Sequence, residues 1–346
     1  MRLLVTGGAG FIGSNFISYI LNKYENIEIV NLDKLTYAGS LNNIKDEMNN
    51  PRHTFIRGDI CDRLLVQSLF EKYGFDGVIH FAAESHVDKS IINPNSFIAT
   101  NIMGTFTLLE VARNHWMDDV NTYKKDFQHA RFHHVSTDEV YGSLGENGHF
   151  TEKTAFAPNS PYSASKASAD MIVRSYFQTY GMNVVTTNCS NNYGPKQHEE
   201  KLIPTIIRKA IALEPIPIYG DGKNIRDWLY VTDHCRAIDK VFFEGKSGET
   251  YLIGGHNEKS NIEIAHIICK ILDHKRPVSN NDKGVRNYRQ LIRHVQDRAG
   301  HDFRYAIDDK KIRSDLGFGL EYRLDKGLDN TISYYMKKFT EDFLHV

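Results

Sequence analysis

Cysteine is scarce: the 346 residues contain four, Cys61, Cys189, Cys235 and Cys269. They stand far apart and form no CxxC pair, which argues against a metal cluster and against a disulfide framework. A surplus of charge is missing too. Net charge is −1, so no global field draws in nucleic acid or an anionic membrane surface. No apolar run approaches the ~20 residues of a membrane span, and "MRLLVTG" meets its glycines too early for a signal peptide. These gaps predict a soluble, cytoplasmic protein with no nucleic-acid or membrane partner. Internal repeats and low-complexity tracts are absent as well. The sixteen histidines lack metal-ligand spacing with cysteine or glutamate, so they are expected on the surface or hydrogen-bonded in the core, and no metal site is predicted.

What remains is the balance of an ordinary globular chain, 41% apolar and 25% charged, long enough for roughly two domains. The first half alternates strand and helix patterns. "RLLVTG", "IEIVNLD", "DGVIHFAA", "RFHHVST" and "NVVTTNCS" read as strands; "IGSNFISYILNKY", "LLVQSLFEKYG", "TFTLLEVARNH" and "SPYSASKASADMIVRSYFQTYG" read as helices. The expected fold is α/β, a doubly wound Rossmann-type parallel sheet with a smaller mixed α/β substrate-binding domain. Ligands of such sheets bind beyond the carboxyl ends of the strands. After about residue 190 the rhythm changes: "LIPTIIRKAIAL" and "NIEIAHIICKILD" read as helices, and Pro204, Pro215, Pro217 and Pro277 punctuate the loops. The cofactor domain is expected to take residues 1–188 with a returning segment at about 228–256, and the substrate domain 189–227 and 257–346. Residues 279–294 are polar and basic and read as an exposed insertion.

"VTGGAGFIGS" follows the first strand and opens the first helix. Gly8, Gly10 and Gly13 fit G-x-G-x-x-G, while Gly7, Gly10 and Gly13 fit G-x-x-G-x-x-G. In both, missing side chains let the backbone approach a pyrophosphate, which meets the N–H groups and dipole of the helix N-terminus. The motif is weak alone, but the strand–turn–helix context is present. Asp33 closes the second strand 20 residues past Gly13, where a carboxylate binds the ribose hydroxyls. It would repel a 2′-phosphate, so NAD is favoured over NADP. Asp59 and Ile60, in "RGDICD", end a further strand and suit the adenine.

"HHVSTDEVYG", residues 133–142, sets Asp138 beside Glu139 where a strand ends. Two ionised neighbours repel, so the common reading is a solvated loop. The sharper reading is an acid and a base in one site, with one carboxyl kept protonated. A place at the carboxyl end of a doubly wound strand favours the second. Neighbours in an extended segment point to opposite faces, so the pair can meet one ligand only where the chain has turned; Gly142 and Gly145 stand nearby. Downstream, Ser160, Pro161 and Tyr162 read as N-cap, first-turn proline and helix start. Tyr162 and Lys166, four apart, share one helix face. A tyrosine near its ordinary pKa of about 10 is a poor base. A lysine ammonium, with the charge of an oxidised nicotinamide, would lower that value.

This combination resembles the extended short-chain dehydrogenase/reductase family, many of whose members act on nucleotide sugars. The resemblance implies that Thr137, at the strand end, completes a triad with Tyr162 and Lys166. An epimerase of the family needs only that triad. A 4,6-dehydratase also removes a proton from C5 and expels the C6 hydroxyl, which takes one more base and one more acid. "STDEVYG" supplies both, so the chain resembles the dTDP-glucose 4,6-dehydratases over almost its whole length. The likeness runs through "NLDKLTYAGSLNNI", "FAAESHVDKSI", "YSASKASAD", "NCSNNYGP", "EKLIP", "GDGKNIRDWLYV", "GGHNEKSN" and "DRAGHDFRYAID".

That likeness implies roles. Tyr162 takes the proton of the C4 hydroxyl, Thr137 hydrogen-bonds the C4 oxygen, Glu139 takes the C5 proton and Asp138 protonates the leaving C6 hydroxyl. Toward NAD it adds Phe11 and Ile12 in the glycine turn, Lys34, Leu35 and Thr36 after Asp33, and Ala82, Ala83 and Ser85 after "VIHF". Thr100, Asn192, Tyr162 and Lys166 complete the cofactor set. Toward the nucleotide sugar it implies Glu84 and His86, then Asn191, Lys201, Leu202 and Ile203. Pro217, Tyr219, Arg226 and Asn261 follow, and Asp297, Arg298 and His301 close the set. Arginine suits this work because its fork pairs bidentately with phosphate oxygens. Ala299 departs from the pattern, since relatives more often carry proline there. A homodimer is implied as well. Competing readings are a UDP-sugar 4,6-dehydratase, a nucleotide-sugar 4-epimerase, and a non-catalytic NAD-binding sensor that would have lost the tyrosine, lysine or acids.

Overall fold

A computed structural model of the chain describes residues 1–279, 281–297 and 300–344. Seven strands form one all-parallel sheet: β1 (Arg2–Thr6), β2 (Glu28–Asp33), β3 (His53–Arg57), β4 (Gly77–His80), β5 (Arg131–Thr137), β6 (Val184–Cys189) and β7 (Thr250–Ile253). Their order is β7-β6-β5-β4-β1-β2-β3. The chain winds outward from β1 to β3, then returns to place β4 on the other side of β1. At such a switch point the connections leave in opposite directions and a crevice opens at the carboxyl ends of the strands.

Helices cover both faces: α1 (Phe11–Lys23), α2 (Arg63–Tyr73), α3 (Thr105–Trp116), α4 (Pro161–Tyr180) and α5 (Val231–Glu244). The period-2 pattern of the strands decides which helix each residue meets. Leu3 and Val5 of β1 pack with Phe16, Ile17 and Ile20 of α1 and with Ile238 and Phe242 of α5. Leu4, between them, faces the other way, into a core with Val66 and Phe70 of α2, Leu108 and Trp116 of α3, and Val173 of α4. A fully buried side chain of this size stabilises by roughly 1.5–3 kcal/mol, so two-sided packing rather than strand propensity holds the sheet between its helices. Local signals set the ends. Ser160 caps α4 by accepting from the Ser163 N–H, Pro161 occupies the first turn, and Gly181 stops the helix in the left-handed conformation at φ 67°.

A smaller lobe follows β6. The three-stranded unit of Asn191–Tyr193, Ile225–Tyr230 and Glu258–Ser260 and the parallel pair Ile216–Tyr219 with Ile292–Val295 belong to it. Helices Leu202–Ile211, Asn261–Lys275 and Leu324–Leu344 close it over a core that includes Ile207, Ile264, Ile268, Leu328 and Tyr335. Residues 279–294 are not simply an exposed insertion. Tyr288 and Leu291 are buried in that core, and Ile292 begins the strand beside Ile216. The apolar residues there are few and set among Lys283, Arg286, Arg289 and Arg293, so their pattern is lost in the local charge. Among the described residues no helix is long and apolar enough to cross a membrane, and no cluster of His, Cys, Asp or Glu could hold a metal.

Candidate active site

The crevice begins at the turn between β1 and α1. Gly7 has φ +72°, and a Cβ on it would stand 2.6 Å from the Ala82 nitrogen after β4. A Cβ on Gly13 would collide with the Gly7 carbonyl oxygen. The two glycines therefore let three backbone segments touch, and the turn cannot carry side chains there. Gly10 caps α1 without any side-chain hydrogen bond, so the helix brings its first-turn N–H groups to the cleft as anion donors. At the end of β2 the Asp33 carboxyl accepts the Ala9 N–H at 2.9 Å and the Leu35 N–H at 2.7 Å. Leu35 sits at φ 56° to make that return. Each carboxylate oxygen keeps a second lone pair for a hydroxyl. Burial raises the Asp33 pKa, and the two backbone donors oppose it. Lys34 pairs with Asp59 at 2.6 Å across the mouth.

At the end of β5 the chain turns at once. Thr137 caps a 3-10 turn, Asp138–Tyr141, by accepting the Glu139 N–H at 3.3 Å. This turn resolves the problem of neighbours on opposite faces: Asp138 and Glu139 both line the cleft, with Thr137, Tyr162 and Lys166. The two carboxyls are not alike. Asp138 is 1% exposed, and one of its oxygens is buried without a hydrogen bond. Burial pushes its pKa well above the usual carboxylate range, with Glu139 and then Asp227 adding to the rise and Arg226 opposing. Asp138 is thus held as the protonated partner. Glu139 is half-buried and meets the Ser163 hydroxyl at 3.4 Å, itself bonded to the capping Ser160 at 2.8 Å.

Without the charge of a nicotinamide, the protein's groups together raise the Tyr162 phenol. Burial pushes it well above its usual value, Glu139 and Cys189 push the same way, and the hydrogen bond with Thr137 opposes them. The Lys166 ammonium donates to the Val135 carbonyl at 2.9 Å. It is 4% exposed, and burial pulls its pKa down to about 8 while Asp170 works to raise it.

The family model described as GDP-mannose 4,6 dehydratase matches residues 4–331. The dTDP-glucose 4,6-dehydratase of Xanthomonas campestris pv. campestris (strain B100) is 52% identical over 337 residues, covering 97% of this chain and 93% of that one. The chain belongs to the dTDP-glucose 4,6-dehydratase family. An Escherichia coli dTDP-glucose 4,6-dehydratase is 49% identical over 97% of this chain and 94% of its own. Among solved structures, the Streptomyces venezuelae dTDP-glucose 4,6-dehydratase with NAD and TYD bound superposes with a TM-score of 0.87. It is 42% identical and covers 99% of this chain and 98% of its own. A Thermus thermophilus UDP-glucose 4-epimerase, 24% identical with a TM-score of 0.82, covers 97% and 99% of the two chains and shares the fold.

In this family member most of the expected site residues meet in the one cleft. They are Gly7, Gly10, Phe11, Ile12 and Gly13 from the turn, Asp33, Lys34 and Thr36 after β2, and Asp59 and Ile60 after β3. Ala82, Ala83, Glu84 and Ser85 follow β4, and Thr100, Asn191, Asn192 and Lys201 complete the lining. Leu35 lies outside it and serves through its N–H. His86 caps the short helix Val87–Ile92 and approaches Glu200 at 3.3 Å. The remaining expected residues sit on the smaller lobe. Leu202 and Ile203 open a helix, with the Ile203 side chain in the lobe's core. Pro217 and Tyr219 lie on the strand beside Ile292–Val295, and Asn261 follows the Ser260 cap. Asp297 pairs with His301 at 2.7 Å; Arg298 and Ala299 lie outside the described residues. Arg226 is buried, lies over the Tyr305 ring, and donates to the Ile225, Asp302 and Phe303 carbonyls.

Sequence reasoning missed other lining residues, among them Ser136, Cys189, Ser190 and Glu200. Cys189 ends β6 and Ser190 follows it, and the strand-end rule that flagged Thr137 would have flagged them. Asn101 had no such signal. It lies in a π-helical turn, Ile98–Gly104, and holds the Glu84 backbone at 2.8 and 3.0 Å and the Ser165 hydroxyl at 2.8 Å. Turns of this type recur at functional sites.

Proposed function

We propose that the chain is a hydro-lyase acting on dTDP-glucose with bound NAD and yielding dTDP-4-keto-6-deoxyglucose. The observation that carries this reading is the unequal acid pair, Asp138 almost fully buried beside the half-buried Glu139, on the turn that Thr137 caps and in one cleft with Tyr162. An epimerase has no use for the pair. The glycine cradle, the uncapped α1 terminus and the Asp33 carboxyl fit a dinucleotide, with α1 toward the pyrophosphate and Asp33 toward a ribose. When bound, NAD supplies the oxidation at C4 and the matching reduction at C6.

The chain's residues handle protons. Thr137 and Tyr162 hold the C4 oxygen, and Tyr162 would take its proton when the positive charge of a bound, oxidised nicotinamide offsets the burial that raises the phenol. Once C4 is a ketone, the C5 hydrogen is acidic, because the carbanion is delocalised into the carbonyl. Glu139 removes that proton, and Asp138 gives its own to the C6 hydroxyl, which leaves as water. The alkene left behind is conjugated to the ketone and is electrophilic at C6. The large sheet serves the cofactor and the smaller lobe the nucleotide, with Arg226 near enough to oppose the rise of the Asp138 pKa. Likeness to dTDP-glucose enzymes supports thymidine over uridine, and the site's place inside a cofactor-dependent soluble fold supports the cytoplasm.

The test uses dTDP-glucose deuterated at C4, with no cofactor added. Deuterium is expected at C6 of the product, with one solvent hydrogen at C5 and no accumulation of NADH. Label left at C4, or found in free NADH, would mean an epimerase or a simple dehydrogenase. Faster turnover of UDP-glucose would move the substrate to uridine.

A further inference from the structure

Behind the Tyr162 face of α4 lies a polar cluster that none of the proton transfers above uses. Asp170, one turn beyond Lys166 on α4, is 5% exposed. Its Oδ1 meets His134 Nε2 at 3.0 Å, and its Oδ2 accepts the Asn188 amide at 2.8 Å. The same Asn188 amide donates to the Thr137 carbonyl at 3.0 Å. His134 Nε2 is also 3.5 Å from Lys166 Nζ, while His134 Nδ1 is buried without a partner. A buried N–H left unpaired costs more than a bare ring nitrogen, so the proton belongs on Nε2 and points at Asp170. The carboxyl thus receives neutral donors from β5 and β6, an arrangement that favours its anion.

We propose that Asp170 is the buried counter-ion of Lys166, a positioning residue that keeps the lysine a cation and, through Asn188, ties it to the strand end carrying Thr137. The proposal rests on the reading of Tyr162 and Lys166 as the proton-transfer pair. Titratable groups from each neighbouring element face the cluster: His134 from β5, His80 from β4, Cys189 from β6 and Tyr141 from the turn after β5. Burial keeps both histidines neutral and raises the thiol and the phenol, so none of these four supplies charge near neutrality. Lys166 and Asp170 are left to balance each other. Burial lowers the lysine pKa and raises that of the aspartate, to about 8 and about 6, and each opposes the shift of the other. Removing the anion leaves a dry ammonium held by the neutral Val135 carbonyl, with no opposite charge beside it.

Wild type and Asp170→Asn are compared with dTDP-glucose across the range from about pH 6 to about pH 10, following the 4-keto product. The alkaline limb of kcat is expected to move down by about 1–3 pH units, with KM changed by less than about twofold, since uniform binding is untouched. A limb that stays in place, with only a lower melting temperature, overturns the proposal. A wild type that forms no 4-keto sugar overturns the parent reading and this one with it. If Asp170→Asn does not fold, Asn188→Ser takes its place. It removes one donor to the carboxylate, so the shared proton shifts from Lys166 toward Asp170 and kcat at about pH 7 falls while KM holds; an unchanged kcat is equally fatal.

Discussion

At the scale of single residues, the acid pair shows how position alone separates two identical chemistries. Asp138 and Glu139 are neighbours in sequence, yet the 3-10 turn buries one almost fully and leaves the other half-buried beside Ser163. Asp138→Asn keeps the shape but has no acidic proton to give, so C4 oxidation and C5 exchange should survive while water loss slows. Glu139→Gln cannot accept a proton, so exchange of the C5 hydrogen with solvent deuterium should collapse. General acid–base groups contribute ~10²–10⁴-fold in rate, and each loss should fall in that range. Equal, small effects from both would mean that neither carboxyl transfers a proton in the reaction. Since the acid must be protonated, kcat should also fall as pH rises through the raised pKa of Asp138.

Elements differed in how plainly they announced themselves. The α4 helix carries a capping serine, a first-turn proline and a terminal glycine, and its ends lie where those signals put them. The strand Ile292–Val295 carries none, because its pairing partner is Ile216–Tyr219, far away in sequence. Its anchor is Tyr288, 2% exposed, whose hydroxyl donates to the Arg276 carbonyl at 2.8 Å and whose N–H reaches Asp273 at 3.0 Å. Tyr288→Ala should cost about 3–5 kcal/mol, the scale of a large aromatic removed from a core. A surface insertion would change by less than about 0.5 kcal/mol. The urea midpoint of the variant separates the two.

For the whole molecule, the buried histidines set the response to acid. His80, His133, His134 and His234 are at most 1% exposed. Burial pulls the first three well below the ordinary value, and His234 down to about 3. Below about pH 6.5 the unfolded chain binds protons at these positions and the folded chain does not, so stability is full above that pH and falls as pH drops. Each group contributes up to ~1.4 kcal/mol per pH unit in that window. Asp138 and Asp227, raised by burial, act in the opposite sense, as does Asp170, raised to about 6. His256, raised by Asp309, also opposes, but its side chain is 47% exposed and the effect is screened. Asp33 and Glu84, raised by burial, join the opposing groups, while His53, His86, His115 and His266, lowered by burial, act with the four. Eight histidines outweigh six opposing groups, so the urea midpoint should fall between about pH 7 and about pH 5. A midpoint that holds level there would show that the histidines are not buried neutral.

Much of this protein could be read without coordinates, because the signals involved are local. Strand and helix periods, the glycine turn with Asp33, the caps of α4 and the i, i+4 pair of Tyr162 and Lys166 each reach over a few residues, and the fold class follows from their alternation. Thr137, Asp138 and Glu139 were legible as a strand end, and likeness to a family supplied most of the remaining lining. Other features depend on residues far apart in sequence. The protonated state of Asp138 depends on burial and on Asp227 and Arg226, some ninety positions away. The network of His134, Asp170 and Asn188 joins β5, α4 and β6. Arg226 turns to carbonyls beyond residue 300, and Lys166 donates to the Val135 carbonyl. A polar side chain in a sequence is compatible with many partners. Burial removes water as the default one, and only then does the choice among them acquire an energy large enough to matter.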